Sequence, residues 1–208
     1  MVDEFILYDD MQYTRRDWRN RNKIKTHNGL QWLTIPVKVK GKYFQKIKDT
    51  VISDLEWNKK HWLTISHNYG KARFFKEFKD LFEELYLGCK EKYLSTINHR
   101  FIIAINKILD ITTKISWSMD YDLFVECKSE KLVHLCKQAG TDEYISGPGA
   151  RDYMDEELFK KERIKLKYMD YSGYLEYNQL FPPFEHNVSI IDLIFNEGLN
   201  SKDFMKSF

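Results

Sequence analysis

Two hydrophobic periods run through this chain. The first is short and strand-like. Phe5, Ile6 and Leu7 form an apolar run inside residues 4–8, which reads as a first strand. Residues 32–39 read as a second, with Pro36 inside it. Proline cannot donate to a sheet ladder, so this strand is an edge or leaves the sheet at Pro36. Asn28-Gly29 marks a turn between the two. Residues 45–52 read as a third, short strand.

The second period is helical. Ser53-Asp54-Leu55-Glu56 has capping-box spacing, and a helix that buries Trp57, His61, Ile65 and Tyr69 should follow, closed by Gly70. Phe74, Phe78, Leu81, Phe82 and Leu85 trace one face of a second helix, with Gly88 just beyond. Leu94, Ile97, Phe101, Ile105 and Ile108 trace a third over residues 91–109. The rhythm then shortens. A β-like segment at 114–117 precedes a helix capped by Ser129, with Leu132, Leu135 and Cys136 inward and Gly140 as terminator. A strand at 143–145 runs into Ser146-Gly-Pro-Gly-Ala150, a helix spans 155–161, and Ile164, Leu166 and Tyr168 alternate as a strand. Ser189 caps a last helix over 190–196, with Asp192 at its third position and Gly198 at its end.

Strands alternating with helices predict an α/β fold with a mixed or mostly parallel sheet, Rossmann-like or nucleotidyltransferase-like in outline. The 208 residues suit one domain, with the helical stretch 54–110 as an insertion or cap within it. A hydrophobic share of 43% with 15% aromatics excludes a disordered chain. No apolar run reaches the ~20 residues of a membrane span, and the opening Met-Val-Asp-Glu is not a signal peptide. Cys89, Cys127 and Cys136 are odd in number and show no Cys-x-x-Cys pair, which fits a reduced cytoplasmic location. Net charge is only +2, but the first 50 residues hold eleven Lys/Arg against six Asp/Glu. An anionic small ligand is therefore a better match for that quarter than nucleic acid is for the whole.

Chemistry concentrates in residues 8–22. Asp9 and Asp10 end the first apolar run; carboxylates there can serve as a general base for an amine, as a ligand for a divalent ion, or as a turn pair that binds backbone amides. Gln12, Tyr13, Trp18 and Asn22 accompany Arg15, Arg16, Arg19 and Arg21. Guanidinium forks suit a diphosphate, with Arg16 and Arg21 favoured, and Trp18 suits the face of a base or sugar. Read as a helix, Arg15, Trp18 and Arg21 share a face; the alternative is a solvated charged helix. His61 is a candidate base or a hydrogen-bonded core histidine. Ser146, Gly147 and Gly149 form a glycine turn after a strand, where amides could meet an anion or simply make a turn. Tyr153 and Gln179, with Tyr177, are candidates for a sugar wall or for packing. The remaining histidines have no ligand spacing, so no bound metal is expected. Ser189 and Asp192 read chiefly as a helix-capping pair.

These residues resemble a known pattern. The Tyr-Asp-Asp-x-Gln-Tyr-x-x-Arg-x-Trp-x-x-Arg-Asn series at 8–22 is similar to the signature of the WbqC-like protein family. So are Trp32-Leu-Thr-Ile-Pro-Val37, Trp57-x-x-x-His61, Tyr69-x-Lys-Ala72, the Ser146 turn with Tyr153, and Ser189-Ile-Ile-Asp-Leu193 through Asn196 and Gly198. The resemblance implies a place in bacterial O-antigen or capsule biosynthesis, where a role in attaching an amino-acid or other acyl group to a sugar has been proposed. Family members usually begin with a further strand and a His-Gln-Pro-type loop. This sequence opens at the second strand, which argues against nucleotide binding through that loop.

The leading expectation is a cytoplasmic transferase that acylates or aminoacylates an amino sugar, as its nucleotide diphosphate, from an activated acyl or aminoacyl donor. Arginines would hold the diphosphate, and Asp9, Asp10 or His61 would take the amine proton by direct attack. The competing expectation is a non-catalytic sugar-nucleotide binding or assembly protein. Nucleotidyl transfer with Mg²⁺ is a third. A homo-oligomer stays open.

Overall fold

Asn28-Gly29 is the turn of a tight β-hairpin. Gly29 has φ +98°, a left-handed value that glycine adopts without a Cβ penalty. It joins strand β2 (Arg21–Thr26) to strand β3 (Gly29–Thr34), which pair antiparallel from Arg21 opposite Thr34 to Thr26 opposite Gly29. The arginine-rich stretch is therefore not a helix. Asp17 accepts the Trp18 amide, residues Trp18–Asn20 make one 3₁₀ turn, and Arg16 at φ +58° breaks any helical path before it. β3 stops at Thr34, ahead of Pro36, as the missing proline donor requires.

The computed structural model describes residues 2–124 and 127–206. These divide into two compact units. The first comprises Asp9–Thr113 and the described part of Tyr174–Phe208. Besides the hairpin it holds helices α1 (Trp57–Tyr69), α2 (Phe75–Leu87) and α3 (Leu94–Ile108). The expected 45–52 strand is reduced to isolated bridges, Gln12 with Lys46, Val37 with Ile52 and Val51 with Tyr93. The expected Ser53 capping box does not form. Asp54 accepts the Glu56 amide at 2.8 Å instead, and α1 starts at Trp57 without a side-chain cap. The helical stripes are otherwise as the spacing demands. Ile65, Tyr69, Phe82, Leu94 and Ile97 are fully buried; Leu81, placed inward by the pattern, is exposed. Phe195 joins them, its ring tilted against Tyr69, Phe75 and Phe82. It comes from the last helix, Ile190–Glu197, closed by Gly198 at φ +61°, where a Cβ would strike the Phe74 ring.

The second unit comprises Val2–Tyr8 and Lys114–Gly173. Strand β1 (Glu4–Leu7) pairs in parallel with β4 (Lys114–Trp117), and β5 (Glu143–Ser146) pairs in parallel with β6 (Lys165–Tyr168). Helices α4 (Lys128–Gln138) and α5 (Glu156–Lys161) cover a core built on Phe159, Leu132 and Ile164. Cys127, not Ser129, sits at the start of α4; the buried Ser129 hydroxyl accepts the Asp155 amide at 3.2 Å. With Ile190–Glu197 as α6, the fold is mixed α/β. Among the described residues its strands form three separate two-stranded ladders, two parallel and one antiparallel, rather than one continuous sheet. No helix among the described residues is long and apolar enough to cross a membrane.

Candidate functional site

The hairpin register fixes the most suggestive surface. Arg21 and Lys23 are two apart on β2 and point the same way, and Trp32 on β3 stands opposite Lys23. Their side chains therefore meet across the strands. The Arg21 guanidinium lies 4.1 Å over the Trp32 ring, and the Lys23 ammonium lies 5.0 Å from the same centroid. Trp18 tilts against Trp32 at 5.1 Å. Both indoles remain exposed, 57% for Trp18 and 39% for Trp32, an unusual expense of apolar area for two tryptophans in contact. Among the described residues no carboxylate lies within ion-pairing reach of Arg21, and its buried Nε has no hydrogen-bond partner. Arg21 Nη2 donates to the Arg16 carbonyl. Arg19, by contrast, is committed to Asp17 and the Thr14 hydroxyl.

Behind this rim is a cavity of about 320 Å³, at the small end of ligand sites. Trp18, Arg21, Asn22 and His61, four of the residues singled out from sequence, line it together. The opposite strand face contributes Ile24 and Leu33; α3 contributes Ile97, Phe101, Ile102 and Ile105. Ser189, Ile190 and Ile191 bring the positive end of α6 to the same cavity. His61 is partly buried against Trp57, ring centroids 5.1 Å apart. Its Nε2 lies 3.0 Å from the Thr34 carbonyl, an atom that only accepts, so Nε2 carries the proton and Nδ1 is the basic nitrogen. Burial pulls the imidazole below its ordinary value, with the Thr34 carbonyl opposing, so the ring is neutral at pH 7.

The other candidates from the same stretch lie elsewhere, and the expected convergence of the acids with the arginines is not what the fold builds. Neither Asp9 nor Asp10 lines this cavity. Asp9 is buried and accepts the Ser95 hydroxyl. Asp10 takes Lys46 and Lys48, each at 2.8 Å. Burial opposes its ionisation, but the two lysines outweigh that and hold the carboxyl below the usual range, which makes it a poor base. Tyr13 is a core residue, packed with Ile47 and Leu94 and 6% exposed. Gln12 donates to the Tyr43 carbonyl at 2.9 Å, and Arg16 sits in its left-handed turn facing solvent.

The Ser146 turn belongs to the second unit. β5 does run into it, as expected, but the segment Pro148–Tyr153 winds as a 3₁₀ helix. Its Ala150 and Met154 amides are used within the turn, at 3.1 and 3.0 Å. Gly147 keeps an ordinary negative φ, so the backbone does not form the left-handed nest that an anion cradle needs. A Cβ on Gly149 would meet nothing within 4 Å. Ser146 is buried, and Tyr153 is 60% exposed, beneath the Lys128 ammonium.

Gln179 and Asp192 require a larger correction. Asp192 is not a helix cap. It is 1% exposed and its carboxylate accepts the Tyr69 hydroxyl at 2.6 Å, the Tyr177 hydroxyl at 2.7 Å, Gln179 Nε2 at 3.1 Å and Asn196 Nδ2 at 3.3 Å. Burial raises its pKa, and these four donors only partly offset that. Gln179 also donates to the Glu185 carbonyl and accepts the Glu185 amide, so it clamps residues 179–185 and leaves no atom for a sugar. The Tyr69 hydroxyl in turn accepts the Lys25 amide at 3.0 Å. Tyr69-x-Lys-Ala and Ser-Ile-Ile-Asp were both visible as motifs; helical position alone suggested a cap, and only the tertiary pairing reveals the network.

The two buried thiols are not poised to attack. Burial pushes Cys89 up to about 12 and Cys136 to about 11. No solved structure matches the chain. One relative is the "Uncharacterized protein Rv1507c" of Mycobacterium tuberculosis (strain ATCC 25618 / H37Rv). It is 48% identical over 205 residues, covering 99% of this chain and 88% of that one. Residues 1–204 match the WbqC-like protein family, and together with that relative they establish that this chain belongs to it.

Proposed function

We propose that the protein is an acyl- or aminoacyl-transferase of surface-polysaccharide biosynthesis, in the cytoplasm, acting on an amino sugar carried as its nucleotide diphosphate. The observation that carries this reading is Arg21. A guanidinium stacked on an indole, with a buried Nε lacking an acceptor and no carboxylate partner, is a built receptor for an external anion at the lip of a cavity. In this reading Arg21 takes a phosphate, and Trp18 and Trp32 offer flat faces to the base or sugar. Neutral His61 receives the proton through Nδ1 as the sugar amine attacks the acyl carbonyl. The carbon–nitrogen bond forms, the bond to the leaving group breaks, and the leaving group departs with its electron pair. Neither buried thiol nor Asp10 is suited to compete for that role. Ser146, Gly147, Gly149 and Tyr153 belong to a part of the chain for which the same reading assigns no contact.

The test is incubation with a panel of nucleoside-diphosphate amino sugars and activated acyl donors, read by mass spectrometry. A new amide, lost in Arg21→Ala and His61→Asn, supports the proposal; no amide across a broad panel contradicts it. A non-catalytic sugar-nucleotide binder is the second reading. What favours it is that both strand-end carboxylates are already engaged, by Ser95, Lys46 and Lys48. Tight calorimetric binding without turnover would select it.

A further inference from the structure

We infer that this cavity takes an anion whose inner part is a short, uncharged hydrocarbon, and that it rejects the same skeleton when an ammonium group is attached. The argument starts from what lines the inner wall. Phe101 and Ile105 continue the α3 stripe of the buried Leu94 and Ile97, and Ile102 lies beside it. All three are only partly buried: Phe101 and Ile105 pack against the core, Phe101 with Tyr86 at 4.8 Å, and all three still present surface to the cavity. Ile190 and Ile191 extend the same apolar surface. A wall of this kind gains by covering hydrocarbon.

The charge on the lining points one way. Among the described residues no aspartate or glutamate lines the cavity, while Arg19 and Arg21 do, and the N-terminus of α6 adds its partial positive charge. Arg19 is ion-paired to Asp17, which acts on Arg21 only at longer range; Arg21 has no ion pair of its own among the described residues. The remaining polar groups are neutral: Asn20, Asn22, Asn98, Asn106, Ser189 and His61. Ser189 makes no capping bond with its hydroxyl, and Asn98 gives its amide to the Arg19 carbonyl at 2.9 Å. An ammonium brought inside would lose its water and meet the Arg21 guanidinium, with no carboxylate on the lining among the described residues to receive it. The volume of about 320 Å³ limits the hydrocarbon to a short one.

This rests on the proposed function in one respect only, which is assigning the hydrocarbon to the group transferred. On that basis the donor is a plain short acyl compound and not an aminoacyl one. The same geometry therefore decides between the two alternatives that the transferase reading holds together.

Isocaproate and leucine differ only by the α-ammonium group, so they form a matched pair. Titrating each against the full-length protein, with the fluorescence of Trp18 and Trp32 at the rim as the signal, tests the inference. Saturable binding of isocaproate is expected, with leucine weaker by roughly tenfold or more. Ile105→Trp, which fills the cavity, should abolish isocaproate binding. Ile102→Asp, at a partly accessible position, should reverse the preference in favour of leucine. Leucine binding as well as or better than isocaproate would overturn the inference, as would binding of neither at millimolar concentration. Failure of every nucleotide sugar in the transferase assay, with the isocaproate preference intact, would sink the proposed function and leave this inference standing.

Discussion

Two polar clusters in the first unit illustrate opposite uses of charge. Around Asp192 every partner is internal: two tyrosine hydroxyls, a glutamine and an asparagine converge on one buried carboxylate. Around Arg21 the partners stop short. Its guanidinium has an indole beneath it and one backbone carbonyl, but no ion-pair contact among the described residues. A saturated network fixes three chain segments to each other and has nothing left to offer a ligand. An unsaturated cation beside a cavity contributes little to the fold and is available to an anion. Burial alone would rank Asp192 as the functional residue; counting partners reverses that ranking.

The comparison can be broken first where the effect should be largest. Asp192→Ala strands the Tyr69 and Tyr177 hydroxyls, while Asn196 and Gln179 keep the carbonyls of residues 192 and 185, and should lower unfolding stability by about 3 kcal/mol, measured by denaturant titration. Tyr69→Phe removes one of those donors and also the acceptor of the Lys25 amide, and should cost roughly 1–3 kcal/mol. Unchanged midpoints in either variant would mean that the network does not hold the fold. On the other side, Trp32→Ala and Arg21→Ala remove a half-exposed cation–π pair and should each cost only about 1 kcal/mol or less. A larger loss there would show that the rim is structural.

The smallest effect is a pH dependence. Burial depresses the pKa of His61 in the folded state, so its contribution to stability is fully present above the ordinary histidine value of 6.5. It is lost as pH falls through the folded value. The stability difference between the native protein and His61→Asn should therefore shift in favour of the native protein as pH rises towards 6.5, and flatten above it. A constant difference from pH 5 to 8 would contradict a neutral, partly buried imidazole.

Much of the fold was legible in the sequence. The stripes of α2 and α3, the helix after Ser189 and the short strands at 114–117 and 143–145 follow directly from apolar spacing. The arginine stretch misled because Arg15, Trp18 and Arg21 satisfy a helical spacing, while the stronger signal lay just downstream. Arg21 to Thr26 before Asn-Gly is a hairpin arm, and recognising it would have placed Arg21 and Trp32 on one face. Trp18, Arg21, Asn22 and His61 were picked out by residue type and do meet in one cavity. Asp9, Asp10, Tyr13 and Gln179 were picked out by the same reasoning and are engaged internally. Their partners, Ser95, Lys46, Lys48, Leu94 and Asp192, are distant in the chain, so no local pattern could announce them.

The most direct test of the central claim is calorimetric binding of nucleoside-diphosphate amino sugars to three proteins: the native chain, Arg21→Ala and Asp10→Asn. The account predicts that the arginine variant binds roughly tenfold or more weakly while the aspartate variant binds like the native chain. Equal affinity in Arg21→Ala, or a loss confined to Asp10→Asn, would place the anion away from the tryptophan–arginine rim and contradict the account.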